Sequence, residues 1–149
     1  MKIEIKILDR NFFASYGMPY YKTTGSAGMD LMANINSPLV LIQNDVVPIK
    51  TGVAIHIKDP GYAGLIMPRS GLGTKQGIVL SNTVGLIDSD YQGELIVSLK
   101  KNSEGRYTIS PGERIAQLVI FRVEQISFEM VDEFEKSERG EGGFGSTGT

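Results

Sequence analysis

Val53-Ala-Ile-His-Ile-Lys58 alternates branched apolar side chains with Ala54, His56 and Lys58. A period of two puts the two sets on opposite faces of an extended chain, so the stretch reads as a half-buried β-strand. Working outward, the same reading returns. Toward the N-terminus, Ile3, Ile5 and Ile7 alternate with Glu4 and Lys6. Toward the C-terminus, Leu95-Ile-Val-Ser-Leu99, Arg106-Tyr-Thr-Ile109, Arg114-Ile-Ala-Gln-Leu-Val-Ile-Phe121 and Ile126-Ser-Phe-Glu-Met130 read as further strands. Turn formers separate them at Asp59-Pro-Gly61, Gln92-Gly93, Glu104-Gly105 and Ser110-Pro-Gly112. Short strands at this spacing predict an all-β sandwich or barrel rather than a βαβ fold. One short helix is predicted, over Ser70-Gly-Leu-Gly-Thr-Lys75, with Ser70 as its N-cap. No internal repeat is visible. Composition breaks once, near Ser137, where the strand pattern gives way to a Gly-rich tail.

The length of 149 residues predicts one domain with a real core. A formal net charge of -2 gives no global basic field for nucleic acid, so an anionic ligand must be held by local groups or a bridging metal. The lack of cysteine excludes a disulfide framework, thiol chemistry and Cys-type zinc sites. A lone histidine, His56, excludes multi-His metal sites, and its strand position beside Lys58 reads as a surface or satisfied structural histidine. No apolar run approaches the roughly 18–20 residues of a membrane span. The opening Met1-Lys-Ile-Glu-Ile-Lys-Ile-Leu-Asp-Arg10 alternates charge and isoleucine, unlike a signal peptide. A cytoplasmic location is the default expectation. Asp132-Glu-Phe-Glu-Lys136 reads as a solvated connector.

Several segments carry chemistry. Met67-Pro-Arg-Ser-Gly-Leu-Gly73 ends a strand and opens the helical turn. Unpaired N–H groups there, with Arg69 and Ser70, suit a phosphate, or they form an ordinary capped turn with a surface arginine. Gly85-Leu-Ile-Asp-Ser-Asp-Tyr-Gln-Gly-Glu-Leu95 reads as a hairpin with two carboxylates and an aromatic in its connection. Asp88 and Asp90 either make Asx-type turns or supply a general base that holds a water, with Tyr91 against a ring. Ala27-Gly-Met-Asp-Leu-Met-Ala33 places Asp30 in an apolar strand, and Pro111-Gly-Glu-Arg-Ile-Ala-Gln-Leu118 does the same with Gln117. Each is either satisfied at a strand edge or part of a site, because a bare buried charge is costly.

The tail, Arg139-Gly-Glu-Gly-Gly-Phe-Gly-Ser-Thr-Gly-Thr149, cannot build a core. As a plain Gly/Ser segment it would be a mobile linker. Its inventory also suits closure over a nucleotide: Arg139, glycine N–H groups, Ser146 and Thr147 for phosphates, and Phe144 for the base.

Taken in order, AGMDLMA, PRSGLG, GLIDSDYQGEL, PGERIAQL and RGEGGFGSTG resemble the motifs of the trimeric dUTPase family, from about Ala27 to Gly148. One minor departure is Met29, where the family often carries an aromatic or another large apolar residue. The resemblance implies an all-β, jelly-roll-like distorted barrel of β-clip type, with one short helix and a flexible Gly-rich C-terminal arm. It divides the chain into a barrel domain, 1–136, and an arm, 137–149, that closes over an active site. It implies Mg²⁺-dependent hydrolysis of dUTP to dUMP and pyrophosphate. Asp88 would activate the water. Arg69, Ser70, Gly71, Gln117, Arg139, Gly145 and Ser146 would hold the polyphosphate, and Asp30 would contact the metal through its waters. Asn82 would read the uracil edge, Tyr91 would lie against the deoxyribose, and Phe144 would stack on the base. The expected assembly is a homotrimer with shared active sites, with neither nucleic acid nor membrane as partner. A dCTP deaminase of the same fold and a binding module without turnover are the alternatives. The third and fifth motifs favour the dUTPase over the deaminase, and Asp88, Arg69, Ser70 and Arg139 argue against a module without turnover.

Overall fold

The computed structural model describes residues 1–142. Its strands are β1 (Glu4–Ile7), β2 (Met29–Met32), β3 (Leu39–Ile42), β4 (Val46–His56), β5 (Tyr62–Pro68), β6 (Ile78–Leu80), β7 (Gly85–Ile87), β8 (Glu94–Lys101), β9 (Arg106–Ile109) and β10 (Arg114–Arg122). Two helices interrupt them, α1 (Arg10–Tyr16) and α2 (Ser70–Gln76). One sheet runs β1-β4-β8-β6, a second runs β2-β10-β5-β7, and β3 and β9 form a separate ribbon. Every pairing is antiparallel. The fold is therefore all-β and jelly-roll-like, with no closed barrel among the described residues. Both sheets contribute to one core: Ile49, Val53, Leu95 and Val97 from the first, Leu31, Ile66, Ile115 and Leu118 from the second. Each fully buried side chain of this size stabilises the fold by about 1.5–3 kcal/mol.

Four expectations are corrected. There are two helices rather than one. α1 starts where the Asp9 side chain accepts the Phe12 N–H at 2.9 Å, and it buries Phe12 and Phe13. Its apolar face is too short to show a helical period in the sequence. The N-cap of α2 is Arg69 rather than Ser70, with no side-chain capping bond. Ile126–Met130 forms no strand: it pairs with no strand among the described residues, and Ile126, Phe128 and Met130 are 72%, 90% and 97% exposed, so their alternation has no core to face in the single chain. Finally, Gly85–Leu95 is not a hairpin. β7 pairs with β5 while β8 pairs with β4 and β6, so its loop crosses from one sheet to the other.

A β-bulge near Ile115 shapes the functional edge. Arg114 opposes Met32, but Ala116 opposes Leu31 and Gln117 opposes Asp30. In a regular strand Arg114 and Gln117, three apart, would face opposite sides. The extra residue restores them to one face, beside Asp30, while Ile115 and Ala116 are both buried.

Candidate active site

Asp30, Arg69, Ser70, Gly71 and Gln117 line one open cleft of about 400 Å³, together with Tyr107 and Glu113. β2 brings Asp30, the neighbouring β10 brings Gln117, and the end of β5 with the start of α2 brings Arg69, Ser70 and Gly71. Gln117 Nε2 donates to the Pro68 carbonyl at 3.1 Å, which aims the amide along the cleft wall. A Cβ on Gly28 would come within 3.0 Å of Gln117 Oε1, so a glycine there leaves the amide its place. A Cβ on Gly71 would meet nothing within 4 Å, so the cleft is open in front of it.

Asp30 is only 18% exposed, and each of its oxygens has a cation: Arg69 Nε on Oδ1 and Arg114 Nη1 on Oδ2, both at 2.9 Å. Arg69 also donates to the Arg114 carbonyl at 3.1 Å. The buried-carboxylate question raised by the sequence is thus answered by two guanidinium groups. Arg114 itself escaped sequence reasoning, since only the bulge turns it toward Asp30. Tyr107 and Glu113 escaped it too, coming from β9 and the turn before β10. The Tyr107 hydroxyl donates to Glu113 Oε1, and Glu113 Oε2 accepts the Ser110 N–H at 3.0 Å. Burial, then the Glu113 carboxylate, push the Tyr107 phenol up to about 12, partly offset by Arg69, so it remains a donor at neutral pH.

The donor set can be tested against Mg²⁺. Among the described residues no group of three or more His, Asp or Glu side chains could hold a metal. A hard cation that keeps its waters and rides on phosphate oxygens needs no such cage. Asp30 retains carboxylate lone pairs on the cleft and fits a water-mediated contact.

Other predicted residues lie elsewhere. Asp88 lines a second open cleft of about 560 Å³ with Ser89, Asp90 and Tyr62. Tyr91 is 42% exposed, and its hydroxyl donates to the Glu94 carbonyl at 3.0 Å. Asn82 sits exposed in the turn between β6 and β7, its carbonyl accepting the Val84 N–H at 2.7 Å. Arg139 Nε donates to the Gly142 carbonyl at 2.9 Å, within the tail itself. Phe144, Gly145 and Ser146 lie outside the described residues. A single chain therefore gathers Asp30, Arg69, Ser70, Gly71 and Gln117, and leaves Arg139 apart from them and the Asp88 loop on a different cleft.

The dUTPase family model matches residues 14–148. The chain belongs to the dUTPase family. It is 59% identical to a deoxyuridine 5'-triphosphate nucleotidohydrolase of Aeromonas hydrophila over 99% of this chain and 97% of that one. Its fold matches a mutant Staphylococcus bacteriophage 80alpha dUTPase solved with dUpNHpp, at a TM-score of 0.85 and 33% identity, covering 99% of both chains. It also matches a mutant dUTPase of S. aureus phage phi11 described with a structural Mg(II) ion, at a TM-score of 0.78 and 27% identity, covering 91% of this chain and 100% of that one. Family membership covers both clefts and the tail, so the residues that one chain keeps apart lie within one family match.

Proposed function

We propose that the chain hydrolyses dUTP to dUMP and pyrophosphate, and that its sites are completed between copies in a homotrimer. The observation that carries this is the gathering of Asp30, Arg69, Ser70, Gly71 and Gln117 on one cleft. Mg²⁺ would enter on the triphosphate as part of the substrate, neutralising charge there, with Asp30 touching its water shell.

Asp88 takes the proton from a water as that water attacks the α-phosphorus. The bond to the bridging oxygen breaks and pyrophosphate leaves. Arg69, Ser70, Gly71 and Gln117 hold the polyphosphate as charge moves onto it. Arg139, Gly145 and Ser146 add further donors when the 137–149 arm closes over the site, and Phe144 covers the base. Asn82 and nearby backbone groups read the uracil edge; cytosine reverses a donor and an acceptor there and leaves them unpaired. Tyr91, its ring fixed through Glu94, lies against the deoxyribose and leaves no room for a 2′-hydroxyl.

Two observations support shared sites. Asp88 faces a different cleft from Arg69 within one chain. Beyond β10, Phe128, Met130 and Phe134 are each at least 90% exposed, an apolar surface of the kind a neighbouring subunit covers. Such an enzyme, working in the cytoplasm, would limit uracil in DNA and supply dUMP for dTMP synthesis.

Pyrophosphate release from dUTP, dTTP, dCTP and UTP, with Mg²⁺ and with EDTA, tests the reading. Metal-dependent release from dUTP alone is expected. Release from several nucleotides, or ammonia from dCTP at a comparable rate, would overturn it.

A further inference from the structure

A cluster outside both the phosphate cleft and the mechanism ties the N-terminal edge strand to the Asp88 loop. His56 closes β4 and is the register partner of Glu4 on β1. Its Nδ1 lies 3.4 Å from Glu4 Oε2. The Gln92 amide nitrogen lies 3.4 Å from His56 Nδ1 and 3.2 Å from its Nε2. The Glu4 carboxylate and the Gln92 amide, which can only donate through its nitrogen, thus both meet the same imidazole. Lys58, two residues on, donates from Nζ to Glu4 Oε1 at 2.6 Å and from its backbone N–H to the Ser89 carbonyl at 2.8 Å. The Lys58 hydrogen bond holds the Glu4 carboxyl below its usual range, ahead of a smaller contribution from His56.

The residues after Asp88 are thus fastened at two points by the end of β4 and the residues just past it: Ser89 through the Lys58 backbone and Gln92 through the His56 side chain. Between these points lie Asp90 and Tyr91. The loop has no ladder of its own, since β7 and β8 belong to different sheets. Its internal bonds are few, Tyr91 N–H to the Asp88 carbonyl at 3.2 Å and the Tyr91 hydroxyl to Glu94. The Lys58 backbone and the His56 side chain therefore supply its hold on the first sheet.

We infer that His56 is a positioning residue for the reaction: through Gln92, and backed by Glu4, it holds the 88–93 loop so that Asp88 and Tyr91 meet the substrate in register. The inference rests on the reading of Asp88 as the base. A reacting group displaced by about 1 Å costs on the order of a hundredfold in rate, so a loosened but folded loop shows in kcat. His56 touches no substrate in this account, and the ground-state hold on the triphosphate is left to the other cleft.

The test compares full-length His56→Leu, His56→Gln, Gln92→Leu and Asp88→Asn. His56→Leu and Gln92→Leu are expected to lower kcat for dUTP by about tenfold while KM moves less than about twofold, by the same positioning logic. His56→Gln, which can still accept from Gln92, is expected to recover most of the rate. Melting temperatures separate loss of fold from loss of position, and Gln92→Leu on the exposed loop carries the test if His56→Leu does not fold. Unchanged kcat in both leucine variants, or no recovery with glutamine, overturns the inference while an inactive Asp88→Asn leaves the proposed mechanism standing. A fully active Asp88→Asn overturns both.

Discussion

Arg69 Nε lies 2.9 Å from Asp30 Oδ1, and the opposite oxygen of the same carboxylate holds Arg114 at 2.9 Å. One half-buried acid therefore fixes the cation expected to grip the substrate phosphates. Replacing Asp30 by Asn keeps the shape and removes the charge. A charge-assisted hydrogen bond of this kind contributes about 1.5–3 kcal/mol. Asp30→Asn should raise KM for dUTP about tenfold or more, because Arg69 is no longer aimed. Steady-state kinetics at saturating Mg²⁺ check this, and an unchanged KM would mean Arg69 is positioned without Asp30.

Gly71 separates fold from function. A Cβ there meets nothing within 4 Å among the described residues and adds a better helix former to α2, worth about 0.5–1 kcal/mol of stability over glycine. It also projects into the cleft that the phosphates are proposed to fill. Gly71→Ala should melt at or above the wild-type temperature and bind dUpNHpp at least about tenfold more weakly, the cost of about 1.4 kcal/mol of lost contact. Isothermal titration and thermal melts together decide it.

Tyr107 carries a pH signature. Its phenol is raised from 10.0 to about 12 in the folded chain, so the folded state keeps a proton that the unfolded state gives up. The stabilisation is complete below pH 10.0 and is lost as pH rises toward about 12. Tyr107→Phe should lose stability at neutral pH and show a flatter decline across that alkaline window. Chemical denaturation at several pH values measures both slopes, and parallel slopes would contradict the assignment.

The tail gives the cleanest dissection. Among the described residues, Ser137 to Gly142 hydrogen-bond only to one another: Gly140 N–H to the Ser137 carbonyl and hydroxyl, Gly142 N–H to the Arg139 carbonyl, and Arg139 Nε to the Gly142 carbonyl. Truncation before Arg139 should leave melting temperature and oligomeric state unchanged and turnover nearly abolished. An unfolded product would make the tail structural; full activity would remove it from the site.

Much of this was legible in the sequence, and the exceptions have physical causes. Alternation identified the strands around Leu95 and Arg106 because one face of each is buried, and a period of two records that directly; around His56 it found the strand although the small Ala54 on the other face is buried as well. It misled at Ile126–Met130, where an apolar run is exposed in the single chain: pattern reports what must be covered, not what covers it. α1 was missed because seven residues with two buried phenylalanines leave no period to count. In the cleft, Asp30, Arg69, Ser70, Gly71 and Gln117 were legible as motif residues. Arg114 was not, since a one-residue bulge reverses its face, and bulges leave no mark in an apolar strand. Tyr107 and Glu113 meet the site only through sheet topology.

The central claim is that Arg69 and Asp88 serve the same site from different copies of the chain. Arg69→Ala and Asp88→Asn should each be nearly inactive alone. Unfolded together in equal amounts and refolded, they form mixed assemblies. A site drawing Arg69 from one copy and Asp88 from another is intact in about one quarter of cases by symmetry. The account predicts recovery of dUTP hydrolysis to about that fraction of the wild-type rate. A refolded mixture no more active than its parts, while wild-type protein refolds to full activity, would contradict it.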